Sequence, residues 1–320
     1  MNIFYNSEEQ NLRAGWRMAI FLAALAAGLM AVNPPLLWIL KHFSWLPKPF
    51  ANEFIFYGAL LLITFLIIHF LEKRPFDSLG LAANGRVLKE LGQGFLLGGG
   101  MITVVFVTEY SMGIISLTFK PLSAVEVFQY TSESIGIFVL GAFGEELLFR
   151  GYLFQTLTEG AGKIISVAAF AIFFGVAHSS NPHVTFFSMA NIALAGVLLS
   201  LAYLKTRSLW FPIALHFTWN FLMNHIYSFP VSGIQFSQYQ LGVLIQSGPE
   251  WLTGGTFGPE GGALATLVLI GGTAFIYFSP WILVSEKAWL KEQWLAARMQ
   301  TAAENTIAGD TPVGSSTGTN

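Results

Sequence analysis

Long apolar stretches broken by short polar ones set the pattern of this chain. An α-helix needs about 20 apolar residues to cross a hydrocarbon layer of ~30 Å. Runs of that kind fall near 18–40, 54–71, 95–118, 135–157, 164–178, 184–204, 209–227 and 262–284. The pattern predicts an all-α fold, a polytopic membrane helix bundle of about eight transmembrane helices. The fifth run is short, and the first contains Asn33-Pro34-Pro35, which predicts a kink or an end because proline removes a backbone donor and crowds the preceding turn. Residues 285–300 read as an amphipathic interfacial helix, with Trp289, Leu290, Trp294 and Leu295 toward lipid and Lys287, Lys291 and Arg298 toward water. The Gly, Ser and Thr of 306–320 predict a disordered tail.

The organisation that follows is 1–134 for the first three helices, 135–227 for a central block, 228–305 for a loop with the last helices, and 306–320 for the tail. The loop 228–261 is rich in Gly, Pro and aromatics and reads equally as a lid or a tether. Basic residues before an alanine-rich apolar run also describe a signal peptide. Glu8 and Glu9 dilute that basic region and the apolar pattern resumes after the prolines, so an uncleaved helix is expected.

Composition fixes the solvent. Hydrophobic residues make up 54% of the chain, charged residues 11%, and mean hydropathy is +0.59, against roughly 25% charged in a soluble domain. The expected partner surface is therefore the lipid bilayer. A net charge of -2 leaves no basic surplus for nucleic acid. The absence of cysteine excludes thiolate catalysis, disulfides and cysteine metal sites. With the N-terminus inside, every lysine and arginine except Lys41, Lys48 and Lys120 falls on the inner side, which under the positive-inside rule predicts two cytoplasmic termini in a cell membrane. No internal repeat is evident. Gly94-x-x-x-Gly98 and the adjoining Gly99 and Gly100 predict close helix packing.

Candidate chemistry lies in the central block. Glu145-Glu146-Leu147-Leu148-Phe149-Arg150 places three ionisable groups where each costs at least ~2.5 to 3.5 kcal/mol on insertion scales. Residues four apart share a helical face, so Glu146 and Arg150 are placed to pair while Glu145 points elsewhere. A carboxylate without a cation is the one disposed to act as a general base. Phe174-Gly175-Val176-Ala177-His178 brings a histidine to the end of the fifth run. His216-Phe217-Thr218-Trp219-Asn220 puts an imidazole and a carboxamide on one face, a plausible pair of oxyanion donors. Each feature alone fits a structural role, an ion-pair network or interhelical hydrogen bonds; the ordered set points to chemistry.

That ordered set, Glu-Glu-x-x-x-Arg, Phe-x-x-x-His, His-x-x-x-Asn, resembles the CPBP (Abi) family of intramembrane endopeptidases, whose best-known members are the type II CAAX prenyl proteases. The likeness covers about 135–227 and includes Phe149-Arg150-Gly151-Tyr152-Leu153. What it implies is hydrolysis of peptide bonds in membrane-associated or lipidated peptide or protein substrates by glutamate-activated water. Glu145 is then the base, His178 holds the water, His216 and Asn220 stabilise the oxyanion, and Glu146, Arg150 and Phe174 support the site, with no cofactor. A zinc variant on Glu145, His178 and His216 stays open, although the chain lacks His-Glu-x-x-His. A transporter or proton relay, or a non-catalytic scaffold or immunity protein, could use the same buried groups. By the drawn boundaries His178 lies toward the outside while Glu145 and His216 lie at mid-membrane or inside it, so helix five is expected to start later or to be tilted and broken.

Overall fold

A computed structural model describes residues 4–6, 11–40 and 48–282. The expected interfacial helix and tail lie outside these residues. Helix α1 spans Ala14–Leu40 and runs through Pro34 and Pro35, so the prolines do not end it. Helix α2, Lys48–Leu66, continues as a π-helical turn, Ile67–Leu71. Helix α3 is Val87–Ser111. Helix α4, Ala124–Arg150, begins at a Ser123–Glu126 capping box and stops at Gly151, where a Cβ would lie 2.1 Å from the Leu147 carbonyl oxygen. Helices α5, Tyr152–Ala161, and α6, Lys163–Ala177, follow, then α7, Phe186–Thr206, and α8, Trp210–Phe221, with a π-helical turn through Ile226. A single turn, α9, Glu250–Thr253, precedes α10, Ala263–Phe278.

The described structure is thus mostly helical, in keeping with a membrane bundle. Among the described residues four helices contain segments long and apolar enough to cross a membrane, at Ala14–Ala31, Glu53–Leu71, Val87–Ser111 and Phe186–Thr206; α6 and α10 are apolar but shorter. Two departures from the expected pattern have local causes. The third run ends at Ser111, because its apolar tail forms a strand instead: the β-branched Ile115 and Thr118 favour an extended ribbon. The fourth run breaks at Gly151 instead of continuing to 157.

Strands complete the picture. Tyr5–Asn6 (β1) pairs antiparallel with Asn11–Leu12 (β2), and Ile115–Phe119 (β3) pairs antiparallel with Gly242–Gln246 (β4). An all-α description therefore needs two small ribbons added. One strand of the second ribbon, β4, lies within the stretch left open as lid or tether, and that stretch is folded: it packs over one end of the bundle, with Asn181 Nδ2 donating to the Ser232 carbonyl at 2.8 Å and Asn191 Nδ2 to the Glu260 carbonyl at 2.9 Å.

Close helix contact sets the bundle's geometry. A Cβ at Gly94 would lie 2.5 Å from the Phe211 carbonyl oxygen and one at Gly98 2.2 Å from that of Leu215, so α3 and α8 touch backbone to backbone as the small-residue pattern predicts. Beneath, a continuous apolar core runs through Phe21, Leu60, Ile102, Phe154, Tyr203 and Phe211. At the end opposite the folded loop, Arg17 donates to Glu72 at 2.7 Å and to Glu159 at 2.8 Å, and the Tyr152 hydroxyl donates to Glu72 at 2.7 Å.

Candidate active site

A cavity of about 130 Å³ opens within the bundle between α2, α4, α6, α7, α8 and the folded loop. Glu145, His178, His216 and Asn220 all line it, as does Phe174. His178 lines the same cavity as Glu145 and His216 although α6 runs unbroken and almost as drawn, so the expected later start or break of helix five is not found; the cavity reaches the C-terminal end of α6, where His178 caps the helix. Helix α4 begins at Ala124, well before the expected 135, so Glu145 sits near the end of a long helix instead of midway along a short one.

The two adjacent glutamates differ sharply. Glu146 is fully buried; its Oε1 accepts from Arg150 Nη1 at 3.0 Å and from His216 Nδ1 at 2.8 Å. Arg150 Nη2 donates to the Gly196 carbonyl at 3.1 Å, and the guanidinium lies 4.7 Å from the centroid of the Phe174 ring, within cation–π range. Glu145 points into the cavity, its Oε2 3.9 Å from His216 Nε2 and without a hydrogen bond. Glu146 therefore orients His216 as well as pairing with Arg150, a contact across 70 positions that helical spacing cannot reveal.

Hydrogen-bond chemistry fixes the faces of both imidazoles. A backbone carbonyl only accepts, so the 2.7 Å contact between His178 Nδ1 and the Phe174 carbonyl requires the proton on Nδ1 and leaves Nε2 with a lone pair in the neutral ring. An ionised Glu146 likewise requires a proton on His216 Nδ1 and directs Nε2 toward Glu145. Phe174 is 3% exposed and contacts both rings edge-on, with centroids 4.9 Å from His178 and 6.2 Å from His216. Its aromatic body spaces the imidazoles apart.

Three acidic or phenolic groups at the cavity escaped notice in the sequence. Glu53 and Tyr57 come from α2. The Tyr57 ring packs where a Cβ on Gly144 would lie, 2.2 Å from its Cδ1, so the glycine before Glu145 lets α2 close on α4. An acid opening an apolar span was a usable signal for Glu53. Glu260, from the folded loop, accepts from Trp219 Nε1 at 3.1 Å, and from the Ser232 amide at 2.8 Å and its hydroxyl at 2.7 Å; nothing in a Gly-rich loop marked it. Among the described residues no group of three or more His, Asp or Glu side chains is arranged to hold a metal ion.

A carboxylate, two oriented imidazoles and a carboxamide therefore line one cavity in an apolar helix bundle. Residues 128–222 match the family model described as type II CAAX prenyl endopeptidase Rce1-like. The chain thus carries an Rce1-like domain, in keeping with the CPBP/CAAX protease family and with a multi-pass membrane protease. No curated protein and no solved structure matches the chain.

Proposed function

We propose that this protein is an intramembrane endopeptidase in which Glu145 activates water without a metal. The observation that carries the proposal is the difference between the adjacent acids: Glu146 is held through its Oε1 by Arg150 and His216 and does not line the cavity, whereas Glu145 lines the cavity and has no cation paired with it. Water between Glu145 and His178 Nε2 would give one proton to the Glu145 carboxylate and its second hydrogen bond to the imidazole. The resulting hydroxide adds to the scissile carbonyl, and the negative charge moves to the carbonyl oxygen. Asn220 Nδ2 donates to that oxyanion, and His216 does so through Nε2 when doubly protonated, with Nδ1 still held by Glu146. Collapse of the intermediate breaks the C–N bond as the Glu145 carboxyl returns its proton to the leaving amine. Substrates are peptides or proteins at the membrane; a lipidated, CAAX-type C-terminus is the class that the family description suggests.

The decisive experiment compares Glu145→Gln with wild type in a membrane cleavage assay, with and without chelator. The variant should insert and fold but lose ~10²- to 10⁴-fold in cleavage, the usual contribution of a general base. Retained cleavage would overturn the mechanism, and loss of wild-type cleavage to chelator alone would replace it with the zinc variant. A proton relay predicts flux without product, and a scaffold predicts function unaffected by the substitution.

A further inference from the structure

The two ends of the bundle differ in charge and in access. Arg17, the segment from Lys73 to Lys89, Lys163, Lys205 and Arg207 gather at one end. Contacts tie these pieces together: Arg17 to Glu72 and Glu159, the Leu209 amide to the Gly80 carbonyl at 2.8 Å, and Lys205 Nζ to the Ile276 carbonyl at 2.6 Å. The opposite end holds the start of α2, the β3–β4 ribbon, the C-terminus of α6 and the folded loop, with Lys120 and Lys48 as its described basic residues. Lys and Arg bias of this kind marks the cytoplasmic face.

The cavity belongs to the other end. Its lining includes His178 at the α6 C-terminus, Asn181 just beyond it, and Ser232, Ile234, Phe236 and Glu260 of the folded loop. Ile234 is 40% exposed and Glu53 is exposed, so the opening lies beside the loop and the start of α2. Toward the basic end the cavity is closed by Glu146 and Arg150, each fully buried, and below them by Tyr203, Leu209 and Phe211, none with any exposed surface.

We infer that the cavity is served from the extracytoplasmic side, so that its substrate is a peptide segment presented at the outer face of the membrane rather than a C-terminus offered from the cytoplasm. The substrate half of this inference rests on the endopeptidase proposed above; the orientation half does not. Reaching the site from the basic end would require unpacking the buried Glu146–Arg150 layer. Reaching it from the other end requires only passage beside the loop.

The chain has no cysteine, so single-cysteine variants report topology against a silent background. Ser237→Cys lies on the exposed surface of the loop and Ala83→Cys on the exposed surface of the basic end. In sealed right-side-out membrane vesicles, a membrane-impermeant maleimide should label Ser237→Cys directly and Ala83→Cys only after lysis. The reverse pattern, or labelling of both positions before lysis, overturns the inference. Labelling needs no turnover: the expected pattern with no cleavage by wild type would remove the endopeptidase and leave the orientation standing, while cleavage with the reversed pattern would do the opposite.

Discussion

At the scale of residues, the site depends on which acid keeps a cation. Removing the Arg150 guanidinium, as in Arg150→Met, leaves Glu146 buried and unpaired beside His216, and breaking a buried pair on one side costs roughly 3 to 5 kcal/mol. The expected result is a clear drop in the thermal midpoint of the purified protein in detergent, with cleavage lost as His216 is no longer held. Gly144→Ala tests the α2 wall: its Cβ would fall 2.2 Å from the Tyr57 ring, and such overpacking costs about 1 to 3 kcal/mol. In the Tyr57→Ala background the same Gly144→Ala change should cost much less in the melt, because the clashing ring is gone. The Glu146–Arg150 pair was legible from spacing alone, since four residues is one helical turn. The Glu146–His216 bond and the Tyr57 contact were not, because they join helices far apart in sequence and depend on how those helices pack.

At the scale of elements, most helices could be read from apolar runs, while the places where they stop could not. Ile115–Phe119 is apolar enough to extend α3 on paper, yet it becomes a strand because β4 arrives from far along the chain to pair with it. Gly151 ends α4 inside an unbroken apolar stretch. The start of α4 is set by polar chemistry outside the membrane-spanning part: Glu126 accepts from the Ser123 hydroxyl at 2.7 Å and from its amide at 2.8 Å. These bonds, the hydroxyl first, hold the Glu126 carboxyl below its ordinary value of 4.5. A lowered folded value means the cap's contribution is present above 4.5 and is lost as pH falls through the lowered value. The protection factor against hydrogen exchange at the first turn of α4 should therefore fall at acid pH, and in Ser123→Ala it should be low at either pH. Glu260 plays a comparable part for the loop, and Glu260→Ala, which removes its bonds to Trp219 and Ser232, should make 228–261 more sensitive to added soluble protease.

At the scale of the whole molecule, helix lengths are uneven around the bundle. Helix α6 has 15 residues and α10 has 16, about 22 to 24 Å at ~1.5 Å per residue, short of a hydrocarbon layer of ~30 Å. Both pack on α7, so this side of the protein is thinner than the side of α3. A short apolar side is accommodated by local thinning of the bilayer. Cleavage by protein reconstituted into lipids of graded chain length should peak in the thinner membranes and fall in the thickest.

The β3–β4 ribbon has a mechanical side. Five residue pairs, Ile115 with Gln246 through Phe119 with Gly242, rivet the loop over the cavity to the short linker that feeds α4. If the loop lifts to admit a peptide while the rivets hold, the linker must travel with it and pull on the cap at Ser123. The ribbon thus couples the loop mechanically to the start of the same helix that carries Glu145 near its far end.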